Sequence, residues 1–94
     1  METEWAVVSQ SVLDQLSSGD RTLVKSTVDR AAMDWQHTRA TRLVGAWNGE
    51  NVFLLRAGEK FRVVVSLEGG KITVLDVVPR SQIDALRRMR GGAG

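Results

Sequence analysis

The sequence predicts an α+β fold: an N-terminal strand and a helical hairpin packed on an antiparallel β-meander, with a short C-terminal helix. Three observations carry this. Apolar residues recur at steps of four, three and four from Val24 to Trp35. After residue 41 the period becomes that of strands. Asn48-Gly49 and Gly69-Gly70 then punctuate the second half at hairpin spacing, because tight hairpin turns need positive φ at their centre. The chain of 94 residues suits one small domain with a core of its own, over 1–90, followed by a frayed tail over 91–94.

The elements follow in order. Glu4–Val8 reads as a short strand, with Trp5, Val7 and Val8 apolar. Ser9 or Ser11 is placed to cap a first helix over 11–16. Ser17-Ser18-Gly19 breaks it, since serine and glycine favour turns. A longer helix runs over 20–35, with Asp20 at its N-cap or first turn, where a carboxylate meets unpaired amides. Val24, Val28, Ala31 and Trp35 share one face, widened by Leu23 and Ala32. Polar Gln36–Thr41 ends the helical pattern. Leu43–Trp47 and Glu50–Leu55 then flank the Asn48-Gly49 turn. Ala57-Gly58-Glu59-Lys60 makes the next turn and Gly69-Gly70 the third, with Glu68 and Lys71 set to pair across it. Ser81 starts the terminal helix, with Asp84 as its capping partner, an apolar side of Ile83, Leu86 and Met89, and a basic side of Arg87, Arg88 and Arg90.

Parity resolves the last hairpin further. A two-residue Gly69-Gly70 loop sets Leu67 against Ile72, Val65 against Val74 and Phe61 against Val78. That face is apolar except for Asp76 and should meet the helices. The other face carries Arg62, Val64, Ser66, Thr73, Leu75 and Val77. Arg80 falls on the wrong parity to join Arg62 on a straight strand, unless Pro79 ends the strand and re-aims it. Arg56 depends on whether the preceding loop holds two, three or four residues, because a one-residue slip reverses a side chain's face.

Composition narrows the classes of function. The apolar fraction is 43% and the charged fraction 26%, ordinary for a globular protein. There is no cysteine, so disulfides and thiolate metal sites are excluded. One histidine and no carboxylate cluster at ligand spacing argue against a metal site, and nothing calls for a cofactor. The acidic METEWAVV start does not read as a signal peptide, and no apolar run approaches the ~20 residues of a membrane span. A cytoplasmic protein without a membrane partner is expected. The net charge of +2 conceals an asymmetry. Residues 1–36 hold three cations against six carboxylates, whereas residues 37–94 hold ten against five. The second half is the one to face an anion.

The stretches EWAVVSQSVLDQLSSGDRTLVKSTVDRAAMDW and LLRAGEKFRVVVSLEGGKITVLDVVPRSQI resemble the RelE/ParE toxin superfamily over nearly the whole chain. The first is similar to that family's opening strand and helical hairpin. The second is similar to its strand–turn–strand core, in which an arginine-glycine turn leads to an aromatic-arginine pair, here Arg56, Gly58, Phe61 and Arg62, with a later arginine, Arg80. The resemblance implies a toxin of a bacterial type II toxin–antitoxin pair held inactive by a small cognate antitoxin, as a homodimer or a toxin–antitoxin hetero-oligomer. RelE-like members cleave messenger RNA on the ribosome, and ParE-like members poison DNA gyrase. A RelE-like mRNA interferase is the first expectation. A ParE-like gyrase inhibitor and an inactive RelE-like binding protein are the alternatives. The chain departs from the RNases in having no tyrosine: Ser81, Gln82, Ile83 and Asp84 follow Arg80. Arg39 and Arg42 are the nearest substitutes for their basic lysine loop.

Metal-free RNA cleavage needs a base for the 2′-OH proton, a donor to the leaving 5′-oxygen, and cations on the crowded phosphorane. Arg62 and Arg80 suit the last role as catalytic residues, since guanidinium grips phosphate oxygens in pairs. Arg56, Lys60, Arg87, Arg88 and Arg90 are the expected RNA and phosphate contacts. The plainer reading makes Arg62 an exposed strand residue and Arg80 a helix-start residue paired with Asp84 or Asp76. His37 fits a helix C-terminus better than a reaction centre. Asp84 and Glu59 are base candidates by proximity in sequence alone. Of the tryptophans, Trp35 belongs to the core stripe, and Trp47 is the one placed for a base or an antitoxin.

Overall fold

The structure is a computed structural model and describes residues 1–43 and 51–85. The chain begins with a strand, β1 (Glu2–Trp5), followed by helices α1 (Val7–Gln15) and α2 (Ser18–Met33) and a 3-10 turn at Trp35–His37. Strands β2 (Ala40–Arg42), β3 (Val52–Ala57), β4 (Phe61–Glu68) and β5 (Lys71–Pro79) come next, and residues 80–85 are helical. The sheet order is β1-β5-β4-β3-β2. The meander of β2 to β5 is antiparallel, as expected, and β1 adds to β5 in parallel, with Trp5 opposite Val74. The Asn48-Gly49 turn, Trp47, most of the strand expected over 43–47, the basic residues Arg87, Arg88 and Arg90, and the 91–94 tail lie outside the described residues.

Several boundaries move, each for a tertiary reason. The first strand ends at Trp5, and Val7 and Val8 open α1 as exposed residues. The Ala6 amide donates to the Val74 carbonyl at 2.9 Å, closing the β1–β5 ladder just before the chain turns away. Neither Ser9 nor Ser11 caps the helix. Ser9 lies inside it, fully buried, with its hydroxyl 2.8 Å from the Val74 carbonyl and 2.7 Å from that of Ala6. Both carbonyls also accept backbone amides, so this hydroxyl fastens α1 to β5 without leaving an acceptor orphaned. The cap of α2 is Ser17, whose Oγ accepts from the Asp20 amide at 3.2 Å, and Asp20 sits in the first turn. Arg21 spans the break between the helices, donating to the carbonyls of Leu13, Asp14 and Leu16 at 3.1 to 3.2 Å. It supplies donors to the carbonyls at the end of α1, of which that of Leu13 also accepts the Leu16 amide at 3.1 Å. Ala40 and Thr41, read as loop, join β2 because β3 offers them a ladder.

The core lies between the helices and one sheet face. Leu13, Val24, Val28 and Ala31 meet Leu55, Ala57, Phe61, Val63, Val65, Ile72, Val74 and Val77. Trp35 lies beyond the end of α2 yet still packs on this core, with its ring 5.1 Å from that of Phe53 in an edge-on contact. The opposite face is not merely mixed: Val52, Leu54, Val64 and Val78 form a second cluster with Ile83 from the terminal helical segment.

One irregularity separates the two faces of β5. The β4–β5 pairing follows the expected register from Leu67–Ile72 to Val65–Val74, then shifts, so that Val64 faces Asp76, Val63 faces Val77 and Phe61 faces Pro79 rather than Val78. Leu75 is the extra residue of a β-bulge. The bulge brings Asp76 opposite Val64 of the second cluster, which removes the carboxylate that simple alternation placed in the core. Past this point the parity of β5 is reversed: Val77 joins the helix-side core and Val78 joins the other face. The Asp76 carboxylate accepts from the Val77 amide at 2.8 Å, supporting the bulge locally. Asp76→Ala should therefore lower stability by about 1 kcal/mol in urea denaturation. The amide of Val77 should show the largest chemical-shift change among backbone amides of β5.

Candidate phosphate-binding site

The reversed parity decides where the arginines go. Arg62, near the start of β4, stands opposite Val78 on one side and Arg56 on the other. Arg80 follows Val78 by two residues and so falls to the face that carries Arg62. The bulge re-aims it, and Pro79 remains in the strand. The Arg80 amide still donates to the Lys60 carbonyl at 2.8 Å, holding the start of the terminal segment against the β3–β4 turn. Arg56 is settled by loop length. Ala57 pairs with Phe61, so the loop holds three residues, Gly58, Glu59 and Lys60, and Arg56 shares the face of Arg62.

That turn is a scaffold for the cluster. Gly58 adopts φ +67, a conformation that favours glycine, and a Cβ there would lie 2.8 Å from Leu23 Cδ2 of α2. The Gly58 carbonyl accepts from Arg62 Nη1 at 3.0 Å and from Arg56 Nε at 3.4 Å, and Arg62 Nη1 also donates to the Phe61 carbonyl at 2.8 Å. Glu59 reaches across the front: its carboxylate pairs with Arg56 and lies 3.4 Å from Arg80 Nη1. Arg80 Nε is 3.7 Å from Asp84, which partly realises the plain helix-start pairing, whereas Asp76 is engaged with the Val77 amide.

These side chains line a cavity of about 250 Å³ on the open face of the sheet. Its floor is Leu54 and Ile83, and its walls are Arg39, Arg56, Arg62 and Arg80 with Thr41 and Asp84. Partial burial lowers the pKa of Arg62, and Arg56 and Arg80 push it the same way, against the opposing pull of Glu59 and Asp84. A guanidinium stays protonated regardless, so the crowding of cations, only partly offset by Glu59 and Asp84, favours an anion. Four guanidinia around one small cavity suit a phosphate, whose oxygens accept several donors at once. Among the described residues, no group of three or more histidine or carboxylate side chains is arranged to hold a metal ion.

The structure thus brings together Arg62, Arg80 and Arg56. Lys60 goes elsewhere: its ammonium lies 3.4 Å from Asp20 at the start of α2 and 5.7 Å from the centre of the Phe61 ring. His37 sits apart, with Nδ1 2.8 Å from Asp34. Arg39 is the site member that residue-by-residue reading undervalued. Its signal was its position just before a strand that pairs with β3. Among the described residues, no helix is long and apolar enough to cross a membrane.

No protein-family model matches the chain, and no curated protein matches it by sequence. Solved structures do match by fold. The toxin–antitoxin complex RelBE2 from Mycobacterium tuberculosis aligns with a TM-score of 0.69 at 12% identity, covering 84% of this chain and 90% of that one. The RelB–RelE antitoxin–toxin complex from Methanococcus jannaschii gives 0.66 at 15% identity, over 88% and 96% of the two chains. The isolated Escherichia coli RelE toxin gives 0.65 at 11% identity, over 94% and 97%. The fold of this chain is that of the RelE toxins.

Glu59 competes with any external anion for Arg56 and Arg80. Glu59→Gln should tighten the binding of inorganic phosphate by roughly threefold in a calorimetric titration, the modest gain that an exposed ion pair permits. Weakened binding would instead show that Glu59 holds the arginines in place.

Proposed function

We propose that this chain is the toxin component of a toxin–antitoxin pair and acts on RNA, with translated messenger RNA as its target and a small antitoxin as its inhibitor. The observation that supports this reading best is the convergence of Arg62, Arg80 and Arg56 on one open cavity, in a fold shared with RelE toxins. Two of the similar structures are complexes with an antitoxin, and a surface that must be silenced when idle suits such a partner. In cleavage, the 2′-hydroxyl gives its proton to water as its oxygen attacks the adjacent phosphorus, and the 5′-oxygen leaves with a proton from water, so that a 2′,3′-cyclic phosphate remains. Arg62 and Arg80 stabilise the added charge on the phosphorane, and Arg56 and Arg39 hold the flanking backbone.

A second reading rests on one observation. The chain has no tyrosine, its single histidine lies outside the arginine cavity, and the nearby carboxylates Glu59 and Asp84 are engaged by arginines. A toxin that binds without cutting, as a gyrase inhibitor does, needs no proton-transfer group.

Induced expression in a bacterial host is expected to arrest growth, and coexpression of the antitoxin is expected to relieve it. Arg62→Ala with Arg80→Ala should abolish the arrest while leaving the protein folded by circular dichroism; undiminished arrest in that double variant would contradict the arginine site. Mapping transcript 5′ ends separates the two readings. New ends within translated codons mean RNA cleavage, and intact transcripts with double-strand DNA breaks mean gyrase poisoning.

A further inference from the structure

A second cavity, of about 450 Å³, opens where the last turns of α2, the 3-10 turn and the start of β2 meet β3. Its floor is apolar, formed by Ala31 and Leu55, each 1% exposed. Its rim is cationic: Arg30 from α2, Arg39 before β2, and Arg56. Asp34 and His37 also border it, and they are paired with one another at 2.8 Å. Among the described residues, neither Arg30 nor Arg39 has a carboxylate within ion-pair distance.

The two cavities lie on opposite faces of the sheet and share rim residues where β2 starts. The β2–β3 ladder ends at Ala40 opposite Leu55, so no β2 residue pairs with Arg56. Arg39 and Arg56 line both the arginine cavity and this larger one. A chain leaving the arginine cavity past Arg56 therefore meets an apolar floor under a ring of guanidinium groups. The volume lies in the lower half of the ~300–1,000 Å³ range of small-ligand pockets. Guanidinium walls beside an apolar floor suit an unstacked base, since arginine planes stack on bases and also neutralise the adjoining phosphates.

We propose that this cavity is a nucleoside subsite, taking one base of a single-stranded RNA whose neighbouring phosphate lies among Arg56, Arg62 and Arg80. The proposal rests on the RNA-directed reading given above. It assigns Arg30, Thr27 and Arg39 to substrate binding and makes the α2 end part of the footprint. An acidic peptide is the competing occupant. The sharing of Arg39 and Arg56 with the arginine cavity favours the nucleotide, because a peptide has no repeating phosphate to place there.

The test compares inorganic phosphate, which has no base, with a 2′-O-methyl uridine trinucleotide, which cannot be cleaved, by calorimetric titration of the whole chain. The wild-type protein should bind the trinucleotide about tenfold more tightly than phosphate. Arg30→Glu, which reverses an exposed charge, and Thr27→Trp, which fills the cavity, should each reduce trinucleotide affinity to the phosphate level and leave phosphate binding unchanged. Lys25→Glu, on the same helix but outside the cavity, should change neither. Equal affinities of the wild type for the two ligands would overturn the subsite, as would an equal loss in Lys25→Glu and Arg30→Glu. An unaltered trinucleotide affinity in Arg30→Glu would overturn it too, while Arg62→Ala losing phosphate binding would leave the arginine cavity standing. If neither phosphate nor the trinucleotide binds, the RNA-directed reading falls and the subsite with it. Binding of a glutamate-rich hexapeptide that is lost in Arg30→Glu, without trinucleotide binding, would assign the cavity to a protein partner.

Discussion

A β-strand alternates its side chains with a period of two, and it changes faces only by gaining or losing a residue against its neighbour. In this protein β5 uses that device once, at Leu75. Before the bulge, Ile72 and Val74 feed the helix-side core; after it, Val77 does, while Val78 and Arg80 turn to the open face. Without the extra residue Asp76 would point into the helices and Arg80 would leave Arg62. The core and the candidate site therefore share one local constraint, and neither can be altered there without the other.

The electrostatic character of the site follows from packing as much as from sequence. The three-residue turn at Gly58 needs positive φ and lies close under Leu23, so its position is set by α2. Its carbonyl then fixes Arg56 and Arg62, and the Lys60 carbonyl fixes the backbone of Arg80. Guanidinium groups that would repel and disperse in solution are held on one surface by donors and acceptors behind them. Glu59 and Asp84 relieve part of the repulsion while the site is empty. Preorganised charge of this kind receives an anion effectively because the donors are already in place and little needs to reorient.

Much of this was legible in the residues. The Gly69-Gly70 turn, with φ of +54 and +74, follows from what two glycines permit. The buried stripe of α2 follows from the spacing of Val24, Val28 and Ala31. Asp76, stranded on an apolar face by simple alternation, was itself the sign that alternation fails on β5, although nothing in Leu75 marks the place. What escaped was nonlocal. The parallel addition of β1 joins residues some 70 positions apart. The burial of Ser9 in α1 depends on Val74, and the length of the β3–β4 turn depends on α2. Arg39 entered the site because β2 begins earlier than its polar composition suggests.

The central claim is that Arg56, Arg62 and Arg80 act as one anion-binding surface because the Leu75 bulge places them together. The most direct test observes their guanidinium Nε–H signals by nitrogen-15 NMR during titration with inorganic phosphate. The account predicts that all three signals move together along one binding curve, with those of Arg21 and Arg30 unmoved. A curve in which Arg62 responds while Arg80 stays still would contradict it.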